Sequence, residues 1–202
     1  MVHISDGILS PEVLAAGWLI TIIILTITLR KTTAEEIPKL SVVTAAFFVA
    51  SLIHFPVGPT SVHLILNGLV GVIMGRLAYI SIFIGIVLQA FLFGHGGISV
   101  IGVNTLDMGL PALIAYGIFV YGSKFNKLNI SLLGGIAGGL GVIFALVLTA
   151  IMLITTGEEF TLVAKAFIIF HLPIIIIEAV IVASVLGFLI KVKPEILKLN
   201  KN

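Results

Sequence analysis

The chain has 202 residues, of which 59% are hydrophobic and only 10% are charged, and its mean hydropathy is +1.29. Soluble domains carry about 25% charged residues, so this composition indicates that lipid surrounds most of the protein. The small net charge of +2 and the dispersed basic residues argue against nucleic acid as a partner, and the lack of cysteine excludes thiolate metal sites, disulfides and cysteine nucleophiles.

Seven apolar segments predict an all-α polytopic membrane protein, a bundle of about seven transmembrane helices. They cover residues 12–29, 39–54, 61–75, 77–93, 105–121, 130–155 and 161–190. Ser10 and Pro11 predict the start of the first helix, because they supply a cap and a proline in the first turn. The third segment is short, which fits either a half-span or a helix that continues through Arg76. Pro173 predicts a kink in the seventh.

Residues 1–202 are predicted to form a single transmembrane domain. It comprises an N-terminal tail (1–10), a helical bundle (11–190) and a basic cytoplasmic tail (191–202). The first ten residues lack the cationic region that precedes the apolar stretch of a signal peptide, so we expect this tail to remain in the mature protein. Small residues at four-residue spacing, such as Gly71 and Gly75, favour close packing of helices in lipid.

Loop charges predict the orientation, because cytoplasmic loops carry an excess of lysine and arginine. With the N-terminus outside and the C-terminus in the cytoplasm, all the lysines and arginines except Lys165 fall in or next to inside loops. The inside residues are Arg30, Lys31, Lys39, Arg76, Lys124, Lys127, Lys191, Lys193, Lys198 and Lys201.

The same orientation puts the histidines toward the outer face. His3 lies in the tail, His54 and His63 flank an outside connection, and His95 lies in another. His171 is predicted about 15 Å inside the seventh helix. A hydrogen-bonded structural role is an alternative for each of them, but imidazole is the commonest metal ligand and binds nickel and cobalt well. As a group they predict a metal site.

The first three residues offer further nitrogen ligands. Met1, Val2 and His3 supply the α-amine, two backbone amide nitrogens and an imidazole, which can close fused chelate rings around one ion. Four nitrogens in a plane suit Ni²⁺ or Cu²⁺. The arrangement also arises by chance, so it predicts a site only in combination with the other histidines.

Polar residues near the predicted helix starts have two interpretations each. His63 and Asn67 are four residues apart and would share a helix face, whereas Ser61 would act as a helix cap. Asn104 is predicted near the start of the fifth helix, where a cap role is again the alternative. His95 lies in a glycine-rich loop that allows close backbone packing.

Two ionisable residues are predicted to lie inside the seventh helix on one face. His171 and Glu178 are seven residues apart, and intramembrane ionisable groups often mark functional sites. A place on the ion path, stabilisation of the fold and contact with a partner protein all remain open for this pair.

Four ordered motifs carry a family resemblance over essentially the whole chain. They are VHISDGILS at 2–10, GPTSVHL at 58–64, QAFLFGHGG at 89–97 and GVNTLDM at 102–108. The chain resembles the CbiM/NikM family, the substrate-specific membrane components of energy-coupling-factor cobalt and nickel importers. The resemblance implies a complex with a transmembrane coupling protein, two ATPase subunits and a small accessory membrane protein.

The resemblance also implies a site for Ni²⁺ or Co²⁺ as the transported substrate, with no organic cofactor. In the family the metal is held by the N-terminal amine, an amide, the histidine after Met and a histidine at the start of the third helix. Carried over, the implied metal-binding residues are Met1, Val2, His3 and His63. The implied residues around them are His95, Asn67, Asn104 and Ser61, and Ala15, Ala16 and Gly17 resemble the small-residue face that docks the coupling protein.

One departure concerns the spacing of the amine and the histidine. The family begins Met-His, whereas this chain begins Met1-Val2-His3. Three explanations are open. Met1 is removed and Val2 supplies the amine, or a methionine precedes a native valine start, or the insertion is real and the tail binds through three backbone nitrogens and His3, which would leave His63 redundant. We expect weakened or altered metal binding with Met1 and Val2 both present.

Three other function classes fit the residues less well. An intramembrane metalloenzyme would need an H-E-x-x-H helix or a placed general base, and a haem protein would need histidine pairs across the midplane. A stand-alone secondary transporter would show broken helices in paired halves, and we find no repeat. The sequence has no Walker motif, so ATP hydrolysis is expected in partner subunits and not in this chain.

Overall fold

A computed structural model of the chain describes residues 4–57, 60–125 and 129–197. Within these ranges the protein forms seven α-helices and one antiparallel hairpin of two short strands, so the predicted helical class is confirmed. The helices are α1 (Pro11–Leu29), α2 (Ile37–Ser51), α3 (Asn67–Met74), α4 (Ala78–Phe93), α5 (Ile101–Ser123), α6 (Ile130–Thr156) and α7 (Thr161–Val192), and the strands are β1 (His54–Val57) and β2 (Thr60–His63).

The hairpin corrects the prediction for the third segment, which began a helix at residue 61. Thr60–His63 is a strand that pairs with β1, with His63 opposite His54, and α3 begins only at Asn67. Thr60 and Val62 are β-branched and favour a strand, and pairing gives the backbone amides and carbonyls of both strands their partners. His63 and Asn67 therefore do not share a helix face.

Helix α3 is a half-span, and the chain reverses direction after it. Gly71 lies against Ala112, and Gly75 lies against the ring of Tyr116, so α3 runs parallel to α5. Gly75 then breaks the helix in a left-handed conformation (φ +61°) that favours glycine. Eight residues of helix rise about 12 Å, so α3 alone is too short to cross the hydrocarbon core of about 30 Å.

Hydrogen bonds identify the two ends of the bundle. At the first end Arg76 pairs with Glu36 at 2.6 Å, and the Lys39 ammonium donates to the carbonyls of Ile73 and Ile196. The described lysines and arginines near helix ends lie at this first end, and only Lys165, within α7, is remote from it. At the second end, residues 4–10 contact the loop 94–100 and the end of α6.

Five helical stretches of the described chain are long and apolar enough to cross a membrane: Pro11–Leu29, Asn67–Phe93, Ile101–Ser123, Ile130–Thr156 and Glu158–Val192. The second of these includes both α3 and α4, and therefore the reversal. Large apolar side chains of α1, such as Leu19 and Ile22, are exposed on the outside of the bundle, as expected for a surface that faces lipid. The protein is a multi-pass membrane protein.

Glycine contacts hold α3 against its neighbours, and we expect Gly71→Ala to destabilise the protein by about 1–3 kcal/mol. A methyl group there would overlap the backbone carbonyl of Ala112, which cannot rotate away. Gly117→Ala in α5 is the matched control, because open space surrounds that position and alanine favours a helix over glycine by about 1 kcal/mol. Thermal unfolding in detergent should show a fall for the first variant alone; equal melting temperatures would contradict the packing.

Candidate metal-binding site

Asn104 clamps the described start of the chain into the bundle. The backbone amide of Ile4 donates to Asn104 Oδ1 at 2.9 Å, and Asn104 Nδ2 donates to the carbonyl of Ile4 at 3.0 Å. Both residues are buried. One side chain therefore satisfies both backbone groups of the residue that follows His3 and fixes its position against α5.

A second set of contacts fixes the next residues, which we call with Ile4 the N-terminal segment (4–10). The amide of Asp6 donates to the carbonyl of Gly96 at 2.8 Å, and the amide of Ser99 donates to the Asp6 carboxylate at 3.1 Å. Gly97 adopts φ +119°, and a side chain there would overlap Asp6. The loop 94–100 is thus shaped to receive this segment, which packs into the second end of the bundle.

The predicted ligands Met1, Val2 and His3 lie outside the described residues. What the structure gives is the position of the segment that follows them. Ile4 and Leu9 are both part of an apolar cluster with residues of α5, α6 and α7. The described part of the predicted tail is therefore integrated in the bundle.

His63 lies at the end of β2, outside the helical stretches that could span the membrane. Its side chain is buried, and its Nδ1 lies 2.8 Å from the carbonyl oxygen of Leu64. Burial lowers the pKa of His63 to about 4, and the nearby rings of His171 and His95 act in the same direction. The ring is therefore neutral at pH 7. Because a carbonyl only accepts, Nδ1 carries the proton and Nε2 keeps the lone pair that a metal binds.

His95 and His171 approach His63 from two other elements. His95 lies in the loop 94–100, with its ring 5.9 Å from that of Phe93. His171 is fully buried in α7, where its Nδ1 lies 2.8 Å from the carbonyl of Phe167. The hairpin, the loop and α7 thus bring three histidines to one region of the bundle.

The described side chains do not complete a ligand set. Among residues 4–57, 60–125 and 129–197, no three histidine, aspartate or glutamate side chains form a group that could hold a metal ion. A site at His63 therefore needs nitrogens from elsewhere in the chain.

The other predicted neighbours of the metal differ in where the structure places them. Asn67 donates to the carbonyl of Gly141 at 3.1 Å and accepts from the amide of Gly68 at 2.7 Å, so it ties α3 to α6. Its expected place on one helix face with His63 is wrong, because His63 is in a strand. The side chains of Ser61 and His54 lie outside the described part of the structure.

The predicted docking face on α1 is only partly on the surface. Ala15 and Ala16 are exposed, but Gly17 is buried against Val103 of α5. Neighbouring residues of a helix point about 100° apart, so three consecutive small residues cannot all face outward. Gly17 is a packing residue between α1 and α5.

Glu178 has a structural partner that the sequence did not predict. Its Oε1 accepts from the backbone amides of Ile65 and Leu66, which connect β2 to α3. The sequence placed Glu178 on the same helix face as His171, and both are buried in α7. Its hydrogen bonds to backbone amides far away in the sequence could not be predicted, because side-chain spacing carries no information about them.

Comparisons with known proteins agree with this architecture. The sequence model of the family described as "Cobalt uptake substrate-specific transmembrane region" (CbiM) matches residues 3–196. A putative metal transport protein of Haemophilus influenzae is 34% identical over 99% of this chain and 98% of its own length. A putative fused nickel transport protein, NikMN, of Archaeoglobus fulgidus is 25% identical over 97% of this chain and 68% of its own length.

A solved structure has the same fold. The crystal structure of a truncated transition metal transporter superposes with a TM-score of 0.83 at 28% identity, and the match covers 94% of this chain and 98% of that one. The family match spans nearly the whole sequence, and it agrees with the multi-pass helical fold and with relatives named for nickel and cobalt transport. The chain therefore belongs to the CbiM family of membrane proteins for nickel and cobalt transport.

Proposed function

We propose that this protein is the substrate-capture subunit of an energy-coupling-factor importer and that it binds Ni²⁺ or Co²⁺ at its extracytoplasmic face. The observation that carries the proposal is the N-terminal segment held inside the second end of the bundle by Asn104 and the loop 94–100. The same loop carries His95, which is close enough to His63 to affect its pKa. The N-terminal segment and the buried imidazole of His63 thus lie close to the same loop region, which supports a site that both contribute to.

In this proposal the ligands are four nitrogens: the N-terminal amine, one backbone amide of the first residues, and the imidazoles of His3 and His63. Neutral imidazole and deprotonated amide nitrogens suit nickel and cobalt, and His63 is already in the neutral form at pH 7. A planar set of four nitrogens favours nickel over cobalt on geometry.

The orientation follows from charge. The first end of the bundle carries the cations at the helix ends, and the excess of lysine and arginine marks the cytoplasmic side. The second end, with the histidines, then faces outward, which is where an importer meets its substrate.

Energy and partners come from outside this chain. A transmembrane coupling protein, two ATPase subunits and a small accessory membrane protein complete the proposed complex. The exposed Ala15 and Ala16 on α1 remain the proposed docking residues, since small side chains allow a partner helix to approach closely in lipid.

The spacing of the first residues provides the test. In a variant that lacks Val2, the amine, amide and imidazole regain the spacing of the family pattern, and we expect nickel affinity to rise by about tenfold, or about 1.4 kcal/mol. Isothermal titration of the purified protein measures the change, and intact mass establishes whether Met1 is retained. Val2→Ala keeps the chain length and serves as the control. Equal affinity of the shortened and original chains would contradict the proposed ligand set.

A further inference from the structure

The connection between β2 and α3 is a buried stretch of irregular backbone. Ile65 is fully buried and Leu66 nearly so. Both precede the first turn of α3, so their amides have no partner within that helix. An amide left without an acceptor in such surroundings would be costly, and the acceptor must therefore come from another element.

Glu178 of α7 is that acceptor. One carboxyl oxygen, Oε1, receives the amides of both Ile65 and Leu66, the second at 2.7 Å. The residue is fully buried in the middle of a 32-residue helix. A single side chain on a rigid helix thus fixes two successive peptide units of the connection.

Leu66 shows that this connection is constrained. Its φ is +52°, and it is the only residue other than glycine with positive φ in the described part of the chain. A branched side chain rarely adopts the left-handed conformation, and it persists only where the surroundings impose it. The Leu66 carbonyl accepts from the amide of Val70 within α3, and the amides of Ile65 and Leu66 are held by Glu178 of α7.

The constrained connection also contacts the side chain of His63. The His63 Nδ1 donates to the carbonyl of Leu64, the residue just before the two amides that Glu178 holds. The Leu64 carbonyl and the Ile65 amide belong to one planar peptide group. By holding that amide, Glu178 also fixes the direction of the carbonyl, and with it the ring of His63 and its Nε2.

We infer that Glu178 is a positioning residue for the metal site: by holding the backbone of Ile65 and Leu66, it sets the orientation of the His63 imidazole. This inference rests on the proposed role of His63 as a ligand. Partners that orient a ligating histidine typically change metal affinity by about 10- to 100-fold when they are removed.

The test compares two substitutions at this position. Glu178→Ala removes the acceptor, and we expect nickel affinity to fall by about tenfold or more, with a change in the d–d absorption bands of the bound ion. Glu178→Gln keeps an oxygen that can accept both amides, and we expect its affinity and spectrum to stay close to those of the original protein. Should Glu178→Ala fail to fold, Glu178→Leu removes the acceptor while filling the volume.

Val182→Ala is the matched control, one turn further along α7. Val182 is fully buried and packs on Gly138 of α6, so its loss loosens the same helix without touching the connection. We expect a lower melting temperature with unchanged affinity and spectrum. A folded Glu178→Ala protein with the original affinity and spectrum would overturn the inference, as would a Glu178→Gln protein as impaired as Glu178→Ala.

His63→Ala separates this result from a failure of the proposed function. If His63→Ala loses nickel while Glu178→Ala retains it unchanged, the ligand assignment stands and the positioning role is wrong. If His63→Ala binds nickel as the original chain does, the ligand assignment itself is wrong, and the positioning role is wrong with it.

Discussion

His63→Ala is expected to lower nickel affinity by about 100-fold or more, which corresponds to about 2.7 kcal/mol. The imidazole is neutral, buried and oriented by the Leu64 carbonyl, so the substitution removes the proposed ligand. The described residues contain no group of three histidine, aspartate or glutamate side chains that could hold the ion instead. Isothermal titration with nickel in detergent or nanodiscs measures the change.

His95→Ala is the control for that experiment. It removes the same ring from the neighbouring loop, where we propose a supporting role, and the loss should be about tenfold or less. Both variants should elute as the original protein does in size-exclusion chromatography. If His63→Ala binds nickel as tightly as His95→Ala, His63 is not a ligand.

Asn104→Ala is expected to weaken nickel binding by about 10- to 100-fold. The substitution removes both hydrogen bonds to Ile4, so the N-terminal segment loses its attachment to α5 just where it follows the proposed ligands. Asn104→Asp keeps the acceptor for the Ile4 amide but loses the donor to its carbonyl, and it should give an intermediate affinity in the same titration.

Thr44→Ala distinguishes this effect from a general loss of stability. Thr44 shares a buried hydrogen bond with Ser81 between α2 and α4, remote in sequence from the N-terminal segment. Its removal should lower the melting temperature and leave nickel affinity unchanged. If Asn104→Ala has the same melting temperature and the same nickel affinity as Thr44→Ala, the hydrogen bonds between Asn104 and Ile4 have no part in binding.

Long apolar runs predict the helices well, because each must satisfy its own backbone in lipid. Six of the seven predicted segments correspond to helices within a few residues, for instance the run that became α6 (Ile130–Thr156). The prediction for the third segment was wrong at its start, because residues 54–57 and 60–63 satisfy their backbone groups by pairing with each other. The alternation of β-branched residues around the Gly58-Pro59 pair was the available signal, and its position between two apolar runs made a helix start the simpler interpretation.

The sequence indicated candidate residues for a metal site, but it did not predict the contacts that these residues make. Asn104 was expected near the predicted ligands, and its contacts are with backbone atoms of Ile4, the residue after His3, which no sequence pattern reveals. Asn67 was predicted to share a helix face with His63, and this prediction was wrong because α3 begins only at Asn67. Glu178 was noted for its charge, whereas its contact is with amides 112 and 113 residues away.

The glycine contacts of α3 also affect whether ions can pass between the helices of the bundle. Gly68 lies against the backbone of Gly138 in α6, and Gly71 lies against that of Ala112 in α5. Backbones this close leave no passage for an ion along the seam between the three helices. Permeation of a cation along this seam therefore requires the helices to separate or shift, because the seam is closed by main-chain contact and not by bulky side chains.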